Sequence, residues 1–155
     1  MEYNKAVSNP MLIGAIELMK ADNSPQHKKM VSDEMVKATY LCPARVTPMP
    51  ENGATKLAPN SQVQFPVLAA PDGKLYFMAF TDMAELKKWR DEESPQTMAM
   101  TFEDYAAVML KNESSDENQR KAGLVINPFG ANIVVPKATV VRFAASKLSE
   151  VELKN

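Results

Sequence analysis

The stretch that most constrains the fold runs from Val63 to Arg90. Two apolar runs, Val63–Ala70 and Leu75–Phe80, flank the turn Pro71-Asp72-Gly73, a β-hairpin pattern with turn chemistry in the middle. Thr81-Asp82 then opens an amphipathic helix with Met83, Leu86 and Trp89 on one side and Glu85, Lys87, Lys88 and Arg90 on the other. Asp82 followed by Glu85 reads as a start of the capping-box kind. In the first run Val63, Phe65, Val67 and Ala69 share the face expected to be better buried, and Pro66 implies a free edge or a bulge because it lacks a ladder donor. Leu75–Phe80 is apolar on both faces, which predicts a central strand covered on both sides.

The rest of the chain supplies neighbours for that strand. Asn9-Pro10 predicts a helix start, with Asn as N-cap and Pro at the first helical position, followed by Met11, Leu12, Ala15, Ile16 and Met19 at helical spacing. Asp22–Pro25 breaks it, and a second helix from about Gln26 carries Met30, Met35 and Val36 inward. A strand over Thr39–Cys42 ends at Pro43, and residues 47–62 read as a surface loop. Beyond the hairpin and its helix come a strand over Thr97–Met100, a helix capped by Thr101, a polar exposed connection over Lys111–Lys121, strands at Gly123–Ile126 and Asn132–Val135, and a last helix from Pro136 with Val140, Phe143, Ala144 and Leu148 on one face. The predicted class is α+β, with helices packed on one mixed sheet of five or six strands. At 155 residues the prior is a single domain spanning the chain.

Composition removes many functions. A net charge of −1 gives no electrostatic reason to expect nucleic acid or an anionic membrane as partner. No apolar run approaches the roughly 18–20 residues of a membrane span, and the first residues lack a signal-peptide pattern. One cysteine, Cys42, excludes an internal disulfide framework and suits a reducing compartment, so the expected location is cytoplasmic. Eleven methionines fit irregular core gaps better than a binding surface, since most fall at apolar positions of predicted elements.

Chemistry-bearing residues are few. Cys42 sits in an apolar strand with no basic cluster beside it, so an inert buried thiol is the better reading. His27, the only histidine, reads as an exposed surface residue, and with one Cys and one His a zinc site lacks its usual ligands. The acids at Asp91–Glu93 and Glu113–Glu117 lie in polar runs and read as solvated charge. Scattered glycines form no phosphate-cradling loop. No catalytic set, metal site or cofactor is expected.

Several stretches together resemble one family. Phe77-Met78-Ala79-Phe80-Thr81-Asp82 followed by a helix ending near Trp89, the run Gly123-Leu124-Val125-Ile126-Asn127-Pro128-Phe129-Gly130, the Asn9-Pro10 helix start and the strand ending Leu41-Cys42-Pro43 are similar to the SseB-like N-terminal domain, over roughly residues 8–147. Asp82 stands where that family often has Ser, and no second, C-terminal domain follows as in some members. The resemblance implies an α+β fold and a bacterial protein labelled by serine sensitivity or type III secretion. It implies no catalytic residue. The tentative binding residues are Thr81, Asp82, Asn127 and Phe129, at the corner where the hairpin meets the Asn127–Gly130 turn. That turn reads first as structural, through Asn side-chain capping and the Pro bend. The expected function is a non-enzymatic cytoplasmic domain that binds an unidentified protein or small ligand in a groove beside the hairpin. Two alternatives stay open: an enzyme whose polar groups converge from loops, and a structural or secretion-associated partner protein, as a homo-oligomer through a Met-rich face.

Overall fold

The computed structural model describes residues 1–111 and 121–154, with side chains up to residue 146. The expected connection at Lys111–Lys121 falls largely outside the described residues, as does the Leu148 side chain. Helices are α1 (Pro10–Ala21), α2 (Pro25–Lys37), α3 (Met83–Trp89), α4 (Phe102–Leu110) and α5 (Lys137–Lys154). Strands are β1 (Glu2–Tyr3), β2 (Tyr40–Pro43), β3 (Arg45–Thr47), β4 (Gln62–Gln64), β5 (Val67–Ala69), β6 (Leu75–Ala79), β7 (Thr97–Met100), β8 (Lys121–Ile126) and β9 (Ile133–Pro136).

The α+β class holds, but the strands do not form one sheet of five or six. They form a three-stranded sheet β1-β7-β2, a ribbon β3-β4 and a four-stranded sheet β5-β6-β8-β9. Pro66 is the cause at one end. The predicted run Val63–Ala70 breaks at Phe65-Pro66, so its first half pairs with β3 and its second with β6. Because β5 occupies the edge of β6 at Leu75–Phe77, β2 reaches β6 only beyond it. There Leu41 and Phe80 exchange backbone hydrogen bonds of 2.8 and 2.9 Å, stitching the two larger sheets together. The expected loop at 47–62 is correspondingly shortened by β3 and β4 at its two ends.

β6 is central: antiparallel to β5 on one side and parallel to β8 on the other. Its alternate residues go to opposite faces, as a pleated strand requires. Phe77 and Ala79 enter the main core with residues of α1, α2, α4 and α5. Met78 and Phe80 enter a smaller cluster with Leu41 and Leu86, against which Trp89 and Met83 pack. Aromatic contacts knit the main core, Tyr40 stacking on Phe102 at 5.7 Å and Phe102 on Phe143 at 6.1 Å. Methionine serves as core filler: Met35, Met78, Met98, Met100 and Met109 are buried, and Met19 and Met83 are half-buried against the clusters.

Local expectations meet mixed outcomes. On α1, Leu12, Ala15 and Ile16 are buried while Met11 is exposed. On α2 the inward residues are Val31 and Met35, and Met30 faces solvent. Ala69 is exposed, because β5 is an edge strand whose far end leaves the core. Thr101 and Asp104 form the full reciprocal capping box at the start of α4. Asp82 caps α3 by accepting from the Glu85 amide at 2.9 Å, but the Glu85 carboxylate turns to Lys88 at 2.7 Å instead of back to the cap.

Candidate functional site

The corner singled out in the sequence exists. β6 ends at Ala79, and the Asn127 amide donates to the Ala79 carbonyl at 2.9 Å, so the end of β8 lies beside the start of α3. Asn127 has φ +49°, a left-handed conformation that Asn tolerates better than most residues. Its Oδ1 accepts from the Thr81 amide at 3.0 Å, and its Nδ2 donates to Thr81 Oγ1 at 3.0 Å. Thr81 Oγ1 in turn donates to Asp82 Oδ2 at 3.2 Å. Asn9, expected to cap α1, makes no side-chain cap bond. Instead, the Asn9 Nδ2 donates to the carbonyls of Thr39 at 2.8 Å and Thr81 at 2.9 Å.

Thr81, Asp82, Asn127 and the unpredicted Asn9 therefore form one connected polar network. Thr81 and Asn127 are buried, and their groups are spent on each other. Such a network specifies how two sheets and two helices meet. Asp82, at its edge, is half-buried, and beside it Glu85 Oε2 is buried without a hydrogen-bond partner among the described residues. Of the predicted residues Phe129 is the exception, half exposed on the outside of the turn and separate from the network. Gly130 sits against the Glu85 carboxylate, where an added Cβ would come within 2.7 Å of Oε2.

The other chemistry-bearing residues are placed plainly. Cys42 is fully buried in β2, and burial pushes its thiol up to about 12 against hydrogen bonding from Tyr105. Burial likewise raises the Tyr40 and Tyr105 phenols, whose hydroxyls donate to the carbonyls of Met35 and Met78 at 2.8 Å. These are poor nucleophiles and poor bases at neutral pH. His27 is half-buried, not exposed, with Nδ1 2.6 Å from the Asp22 carbonyl oxygen. Among the described residues no group of three His, Cys, Asp or Glu is arranged to hold a metal.

A feature the sequence reading missed lies on the other side of the hairpin. An open cleft of about 840 Å³ runs between the β3-β4 ribbon, the end of α4 and the start of β8. Val63, Phe65 and Val108 give it apolar walls, and Arg45, Lys111 and Lys121 give it positive charge. No acidic residue lines it among the described residues. Lys121 lies over the Phe77 ring at 5.3 Å, while Arg45 and Lys111 have no ion-pair partner among the described residues. These residues come from distant parts of the chain, so nothing in local spacing signals them. A smaller cleft of about 280 Å³ is walled by Trp89, Pro43 and Met49, with Arg90 over the Trp89 ring at 4.3 Å.

No curated protein and no solved structure matches the chain. The model of the SseB protein N-terminal domain matches residues 12–141, from within α1 to within α5. That span contains β2 to β9, every described strand except β1, and all of the polar network except Asn9. The chain belongs to the SseB N-terminal domain family.

Proposed function

We propose that this domain is a non-enzymatic binding module of a bacterial cytoplasm, and that it works through the cationic cleft beside the hairpin. The observation that carries the reading is the contrast between the two polar places. At the Thr81–Asn127 corner the two buried polar side chains, Thr81 and Asn127, are paired with each other, as a structural lock requires. At the cleft, Arg45 and Lys111 have no ion-pair partner among the described residues and stand with Lys121 beside apolar walls, a combination that suits recognition of an occupant with both characters. The buried thiol and phenols, held protonated by burial, supply no nucleophile or base to either place.

Capture from a lysate of the native host tests this, with the native chain and a triple variant, Arg45→Gln, Lys111→Gln and Lys121→Gln, as parallel baits. The expected result is a partner or metabolite retained by the native bait and lost by the triple variant. Identical sets on both baits remove the cleft from the function. Turnover of any retained small molecule removes the non-enzymatic reading. Serine belongs in the accompanying thermal-shift panel, because the family label points to it and a ligand of the folded state raises the melting temperature.

Homo-oligomerisation has one observation in its favour. Met11 and Leu18 lie seven residues apart on α1, hence on one face, and are 69% and 45% exposed. Light scattering after size-exclusion chromatography at two concentrations tests it, and a strict monomer removes it.

A further inference from the structure

The cleft has a property besides charge, and it lies in the backbone. β4 pairs with β3 in the register Arg45–Gln64, Val46–Val63 and Thr47–Gln62, and with no other described strand. The Val46 amide donates sideways, to Gln96 Oε1 at 3.3 Å on the far side of β3. In an antiparallel ladder a residue whose amide points outward belongs to a non-hydrogen-bonded pair, and its opposite number also points outward. Val63 is that opposite number. Its N–H and C=O are therefore directed to the unpaired edge of β4, and Val63 is a cleft residue.

We propose that the cleft takes an extended acidic peptide segment, which adds as a strand to the free edge of β4 and sets its carboxylates against Arg45, Lys111 and Lys121. The proposal rests on the binding-module reading and names the occupant. Strand addition draws affinity from main-chain hydrogen bonds and choice from side-chain contacts, and the cleft supplies both. The cations come from β3, from the residue after α4 and from the start of β8, three separate elements bordering one trough. Each exposed cation attracts an anion weakly by itself, so the occupant that gains most meets several of them along its length. Apolar side chains alternating with acids on such a strand would meet Val63, Phe65 and Val108.

The experiment is fluorescence anisotropy of the full chain titrated into a labelled octapeptide of alternating Glu and Val. Saturable binding is expected, weakening as salt rises and falling about tenfold in the Arg45→Gln, Lys111→Gln, Lys121→Gln variant. The same peptide N-methylated at alternate amides should also bind at least about tenfold less well, because it cannot complete the ladder. This second readout leaves the protein unaltered, so it does not depend on a variant that folds. Equal binding of the N-methylated peptide, or of the peptide with Gln in place of Glu, overturns the proposal. Competition by glutarate with no effect of N-methylation also overturns it, yet leaves a small-anion binding module standing. An absence of saturable binding overturns it too, and assigns the charges to keeping an open strand edge from pairing with other copies. A host partner captured by the native bait but not by the triple variant would in that case show the binding module intact and the peptide assignment wrong.

Discussion

Replacing Asn127 separates the two things this residue does. Its side chain satisfies the buried Thr81 amide and accepts no outside partner, and its backbone sits at φ +49°. In Asn127→Gly the side-chain bonds vanish while the backbone conformation becomes free of penalty, so the cost is that of the buried Thr81 amide left unpaired, its hydroxyl still donating to Asp82, about 2 kcal/mol. Asn127→Ala loses the same bonds and in addition forces alanine into the left-handed region, about 1 kcal/mol more. The expected order is therefore native, then Gly, then Ala, with Ala about 3 kcal/mol down. Urea denaturation followed by far-UV circular dichroism reads this, with the midpoint moving and the slope unchanged. Binding in the cleft, corrected for the folded fraction, should stay at the native value, since the network and the cleft share no residue. Two results refute the reasoning. An alanine variant within about 0.5 kcal/mol of native denies that the amide is buried and dependent on Asn127. A glycine variant no better than alanine denies the backbone term.

Asn9 offers a sharper test of role, because two readings predict opposite outcomes. A helix cap tolerates Asp well, whereas a residue that donates to the carbonyls of Thr39 and Thr81 does not, so Asn9→Asp should cost about 1–3 kcal/mol by chemical denaturation and a neutral result restores the cap reading. At Gly123 a Cβ would collide with the backbone carbonyl of Val135 across the β8-β9 ladder, so Gly123→Ala should lose about 2 kcal/mol or more, seen as a drop of several degrees in Tm, and an unchanged Tm would contradict the close approach. Cys42 has its thiol pushed by burial from an ordinary 9.0 to about 12. A raised folded-state pKa means that its stabilising effect is complete below pH 9 and lost as pH climbs toward 12, at about 1.4 kcal/mol per pH unit. Between pH 9 and 10 the native chain should lose stability faster than Cys42→Ala, and native Cys42 should resist iodoacetamide at pH 8; equal slopes or rapid alkylation would place the thiol at the surface.

How far the sequence reached depends on whether the determining forces are local. Period and punctuation are local. Thr101 as the cap of α4 and the two-faced run Leu75–Phe80 stand as read, because caps and pleats act within a few residues, while Ser24-Pro25, read as part of a break, turns out to be the cap and first residue of α2. Sheet assembly is not local. Pro66 announced an irregularity in its strand, but which partner each half takes depends on β3 and β6 meeting it in space. Asn9 shows the same limit in one side chain. Next to Pro10 it has the composition of a cap, and only the approach of residues 39 and 81 gives its amide something better to bond. The corner itself was legible as a juxtaposition of Thr81, Asp82 and Asn127, while its burial and internal pairing, which make it structural, were not.

The cleft escaped for a related reason, and that reason bears on where function lies in this fold. A net charge of −1 averages over the whole surface, whereas Arg45, Lys111 and Lys121 are gathered on one trough with no acid among its described lining residues. Averages cannot register a local field. The stretches that resemble the family, Phe77–Asp82 and Gly123–Gly130, are mostly buried and serve the sheet junction. Core and junction positions are dictated by packing, so a family likeness built on them carries fold and little else. The cleft cations meet no such demand: Arg45 and Lys111 are exposed, pair with nothing described and could be exchanged for neutral residues without disturbing the core. The fold's own stability does not explain charges held at such positions. With the cleft as the proposed binding surface, the residues that carry the family likeness and those proposed to bind lie on separate parts of the fold, and substitutions in the second set should change partners while leaving the melting temperature nearly unmoved.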